Sequence, residues 1–189
     1  MISTKYNKYY RMDVQINSDG SKTDKWEYIG PYYEFEESAE EHKKRASIYK
    51  LFLVGLILSM FINLWIYSNL SKVIYIILPF CLNLFAVYLF ITAVTFYKKP
   101  GKLLKINEKE KSADKFKQSS LFGILFTFLS LVGVIIYLLR ISTYLFINDY
   151  IFILFQAIML TIFIANALFS RSLTTKEVEN FLAKKYEKL

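Results

Sequence analysis

An all-α integral membrane protein with four transmembrane helices in an up-down-up-down bundle is the fold class this sequence predicts. Three observations predict it. Of 189 residues, 54% are hydrophobic, with a mean hydropathy of +0.30. Four apolar runs fall near residues 48–67, 73–97, 120–139 and 150–169, and their only charged residue is Lys50 at the edge of the first. Each run matches the roughly 20 residues that a helix rising about 1.5 Å per residue needs to cross about 30 Å of hydrocarbon. A soluble fold has too little polar chain here to cover four such segments.

Residues 1–37 precede the spans and predict a small soluble β-hairpin. Tyr10, Met12, Val14 and Ile16 alternate with polar neighbours, the period of two that a half-covered strand requires. The stretch NSDGSKTD supplies turn residues, and KWEYI returns with Trp26 and Tyr28 on one side. Gly30-Pro31 ends the ribbon, because proline has no amide hydrogen for a ladder. A lone hairpin is marginal in water, so its apolar face needs cover from lipid, from the rest of the chain or from a partner.

Residues 38–171 form the four-span domain. Ser38 and Glu41 match a capping box and start a helix that continues into the first span. His42 lies on this helix among charged neighbours and is expected to be solvated, without a catalytic role. Pro79 in the second span is expected to kink it and free the carbonyl four residues earlier. Gly55, Gly123 and Gly133 are positions where helices can approach closely. Residues 98–119 read as a basic connecting loop. Residues 172–189 predict a short amphipathic helix, with Thr174 and Glu177 as a capping box and Val178, Phe181 and Leu182 along one stripe.

Charge sets the expected orientation. The segment 98–117 carries eight lysines, whereas the other two connections carry only Lys72 and Arg140. Short cytoplasmic loops collect Lys and Arg, so both termini and the central loop are expected in the cytoplasm of a multi-pass cell-membrane protein. The first apolar run starts behind a polar segment, so a cleavable secretory signal is not expected. Richness in Lys, Ile, Tyr and Phe fits a bacterial chain.

The function classes narrow by exclusion. One cysteine, Cys81, allows no internal disulfide and suggests no metal cluster. No nucleophile motif, phosphate loop or His-Cys-carboxylate set is evident, so no catalytic residue, metal or cofactor is assigned. The net charge of +8 comes largely from the central loop, while acids and bases balance up to residue 50, which favours lipid headgroups over nucleic acid as the partner of those lysines.

The expected function is a non-catalytic membrane subunit or scaffold that binds a protein partner, or a second copy of itself, on the cytoplasmic side. Tyr10, Met12, Val14, Ile16, Trp26, Tyr28, Val178, Phe181 and Leu182 are the candidate docking residues. A small oligomeric channel or passive transporter is the alternative, with Asn83 and Gln156 as lumen or interhelical polar residues. A membrane sensor or immunity-type protein ranks third, because its outer connections are short.

Overall fold

The computed structural model describes residues 4–16, 22–97, 103–141 and 145–178. It is mostly helical, and four helices are long and apolar enough to cross a membrane: Ala39–Trp65, Ile74–Phe96, Ile106–Arg140 and Ile147–Arg171. Two small antiparallel strand pairs complete it.

A 3-10 turn over Thr4–Tyr9 leads into β1 (Tyr10–Ile16), which pairs with β2 (Lys22–Tyr28). The register sets Tyr10 opposite Tyr28 and Met12 opposite Trp26, the side-by-side arrangement that the alternation predicts. Then comes β3 (Tyr32–Phe35), followed by the predicted capping box. The Glu41 amide donates to Ser38 Oγ at 3.2 Å, and the Ser38 amide donates to Glu41 Oε2 at 3.0 Å. From this cap α1 (Ala39–Trp65) runs 27 residues without interruption.

After a 3-10 turn at Leu70–Lys72, α2 (Ile74–Phe96) passes through Pro79 as one helix. Proline leaves the Tyr75 carbonyl without its usual donor. That carbonyl faces Gly133 on the neighbouring helix, and a Cβ there would sit 2.9 Å from the oxygen, so only glycine allows this approach without a shift.

The expected basic loop is partly ordered structure. Leu104 bridges to Tyr33, and α3 (Ile106–Lys109) passes through a π turn at Glu110–Asp114 into α4 (Lys115–Ile141). The last long helix, α5 (Ile147–Arg171), is followed by β4 (Thr175–Val178), which pairs antiparallel with β3.

β4 corrects one expectation. Where a helix was expected to begin at Thr174, the chain is a strand, with Thr175 opposite Phe35 and Val178 opposite Tyr32. The open edge of β3 offers amides and carbonyls that a local capping signal cannot outweigh, and β-branched Thr175 and Val178 suit the ladder. Phe181 and Leu182 lie outside the described residues.

Packing brings alternate helix ends together. At one end Tyr49 of α1 stacks on Phe116 of α4, with ring centroids 4.1 Å apart, and meets Phe90 and Tyr97 edge-on. Phe52 meets Phe169 of α5 at the same end. At the other end Ser68 Oγ donates to Asp149 Oδ1 at 2.7 Å, and the amides of Asn69 and Phe146 donate to the same carboxylate. Buried Leu70, Ile76, Val134 and Phe152 cluster beside it.

The interface between α2 and α4 is laced by hydroxyl donors. Ser119 Oγ donates to the Ala86 carbonyl at 2.8 Å and Ser130 Oγ to the Ile76 carbonyl at 3.0 Å. By contrast α1 packs mainly on α5 and only lightly on α2.

Candidate functional site

The polar segments before α1, around α3 and after α5 fold together as a cap on one end of the helices. Four contacts hold it. β3 takes β4 on one edge and Leu104 on the other, where the Tyr33 amide donates to the Leu104 carbonyl at 2.9 Å and the Leu104 amide returns at 2.7 Å. Tyr28 Oη donates to the Pro31 carbonyl at 2.8 Å and accepts the Ile106 amide at 3.1 Å, tying the hairpin base to α3. Lys5 Nζ and Tyr6 Oη both donate to Glu110 Oε2, at 2.6 and 2.7 Å. Burial pushes the Tyr28 phenol up to about 12, although the Ile106 amide at its oxygen works the other way.

Beneath the cap, where α1 begins and α2 ends, the charged groups converge. Glu37 precedes the helix cap. Its Oε2 accepts Tyr97 Oη at 2.6 Å and lies 3.8 Å from Arg45 Nε and 3.9 Å from His42 Nδ1. Arg45 also reaches the Phe169 carbonyl near the end of α5, 3.4 Å from Nη1, where the helix dipole favours a cation. His42 stacks on Tyr97 with ring centroids 4.3 Å apart.

This corrects the expectation for His42. It is 7% exposed and packed inside the joint, not solvated. Glu40, Glu41, Lys43 and Lys44 beside it are exposed, whereas its own face of α1 is covered by Tyr97. The spacing of His42, Arg45 and Tyr49, three and then four residues apart, marks that face in the sequence. Glu37 and Tyr97 carry no comparable local signal.

The joint is built to hold shape: a carboxylate takes a short phenolic hydrogen bond, with the Arg45 guanidinium and the His42 imidazole near it. Among the described residues no three His, Cys, Asp or Glu side chains converge as metal ligands would. No protein-family model, curated protein or solved structure matches the chain. Its function is therefore argued from its own residues.

The candidate docking residues separate into distinct places. Tyr28 is 4% exposed and occupied by its own chain, and Tyr10 is half-buried edge-on to it at 5.1 Å. Met12 and Trp26, opposite each other across the ladder, are 50% and 53% exposed. Val14 and Ile16 are placed by their backbones, opposite Asp24 and Lys22, and their side chains lie outside the description. Val178 is half-buried in the β3–β4 pair. Asn83 and Gln156 are fully buried between helices.

Asp149 is a residue that sequence reasoning passed over. It is buried and accepts three donors at the end of the bundle away from the cap. Its position three residues after Phe146, at the start of an apolar run, is the only sequence signal for it.

Proposed function

We propose that the chain is a multi-pass membrane protein whose four helices cross the bilayer up-down-up-down, with both termini and the cap on the cytoplasmic side. We further propose that it acts as a non-catalytic subunit or scaffold whose cap binds a protein partner. The observation that carries the reading is the Met12–Trp26 pair. It is an exposed apolar couple on a ribbon whose base is fixed by Tyr28, so its presentation costs little ordering on binding. The lysines of the central loop support the orientation.

A photo-crosslinking residue at Trp26, in intact cells, tests the docking part. The expected outcome is one discrete protein adduct that disappears with Met12→Ser, while the same probe at exposed Lys117 gives none. Lipid adducts alone, or a smear insensitive to Met12→Ser, would remove the proposal. An adduct of twice the chain mass would identify the partner as a second copy.

The channel alternative is weakened by the apolar side chains on either side of Asn83 and Gln156. Phe80 and Phe152 lie toward one end, and Phe90, Phe116 and Phe163 toward the other, all fully buried. A conduit needs polar lining or open width through both.

A further inference from the structure

All four long helices bring polar side chains into one layer of the interior. Asn63 on α1, Asn83 on α2, Thr127 on α4 and Gln156 on α5 are each at most 1% exposed. Flanking contacts fix their heights. Gly55 against Ile162 and Ser68 against Asp149 set the α1–α5 register, which places Asn63 and Gln156 within one helical turn of each other. Gly123 against Phe163 sets the α4–α5 register and puts Thr127 within a turn of Gln156. Thr127 Oγ1 donates to Asn83 Oδ1 at 3.2 Å.

The hydrogen-bonding inventory of this layer does not close on itself. Among the described residues no group bonds Asn63 Nδ2 or Oδ1, Gln156 Nε2 or Oε1, or Asn83 Nδ2. Three amide NH2 groups and two carbonyl oxygens are thus left over inside a hydrocarbon-spanning bundle, where the surrounding apolar side chains offer them no partner. The mixture defines the ligand. A cation would serve the two oxygens and face three NH2 groups. An anion would serve the NH2 groups and face the oxygens. Only a small neutral molecule that both donates and accepts satisfies both sets.

We infer that this layer binds a small cluster of ordered water molecules bridging Asn63, Asn83 and Gln156. About two waters, at roughly three hydrogen bonds each, match the five leftover groups. The apolar residues on either side seal them from both membrane surfaces. The site is independent of what docks on the cap.

Side-chain amide NMR on the full chain in lipid nanodiscs tests this. Labelling with 15N-glutamine gives three side-chain signals, from Gln15, Gln118 and Gln156. Q15S in the hairpin and Q118S at an exposed position of α4 assign the third by elimination. The expected result is a direct dipolar cross-peak from the Gln156 NH2 to water, with slower solvent exchange than Gln118, and loss of that cross-peak in N63L/N83L. The wild-type cross-peak decides the question even if N63L/N83L fails to fold. A cross-peak from Gln156 to the Asn63 side chain with none to water would overturn the inference in favour of direct amide pairing. A melting temperature raised by sodium chloride over choline chloride, in wild type and not in Q156L, would overturn it in favour of a cation.

Discussion

Tyr28 reports on the cap through one hydroxyl. Its phenol, raised to about 12 mainly by burial, is held protonated in the folded cap more strongly than the unperturbed phenol near 10. The sign follows: a folded pKa above the unfolded one stabilises fully below about pH 10, and that contribution is lost as pH rises through about 12. Trp26 emission in a Trp65→Phe chain should therefore show an alkaline transition of the cap that is shallower in Tyr28→Phe. The Glu37–Tyr97 bond makes a second residue-level case. A double-mutant cycle of Glu37→Gln and Tyr97→Phe, read by thermal unfolding, should give a coupling of about 1.5–3 kcal/mol, as for hydrogen bonds to charged groups. Coupling near zero would mean the two side chains do not bond in the folded chain. None of this was legible locally, since Glu37 and Tyr97 are sixty residues apart. The Ser38–Glu41 capping box was legible because both its members lie within four consecutive residues.

At the scale of elements, each one whose determinants are local reads directly from the chain. The alternation from Tyr10 to Ile16 gives the first strand of the hairpin, although its partner starts at Lys22, inside the stretch read as turn, and four apolar runs give four helices. β4 fails this test. Its partner β3 lies some 140 residues earlier, and the helical stripe of Val178, Phe181 and Leu182 carries no trace of that pairing. Helix approach was legible as a set of glycines but not as partners: Gly123 meets the ring of buried Phe163, and Gly133 the carbonyl that Pro79 releases. Gly123→Ala should force Phe163 aside and destabilise the bundle by about 1–3 kcal/mol, measured by thermal unfolding in detergent. Adding Phe163→Leu, which vacates part of that space, should recover some of the loss.

Across the whole molecule, orientation is the first thing to establish. Cysteines introduced at exposed Lys25 and Lys117 in a Cys81→Ser background should resist a membrane-impermeant maleimide in intact cells and react after permeabilisation. Labelling before permeabilisation would invert the arrangement proposed above.

The unbroken course of α1 has a mechanical consequence. Twenty-seven residues at about 1.5 Å each make a rod of roughly 40 Å, rooted at Ser38 beside the Glu37 joint and ending at Trp65 on the far side. A tilt of about 5° at the root carries the tip by roughly 3–4 Å over such a length. Because α1 leans mainly on α5 and only lightly on α2, that swing meets its least resistance along the α1–α2 flank, so a load placed on the ribbon would be felt as leverage at the opposite end of the bundle.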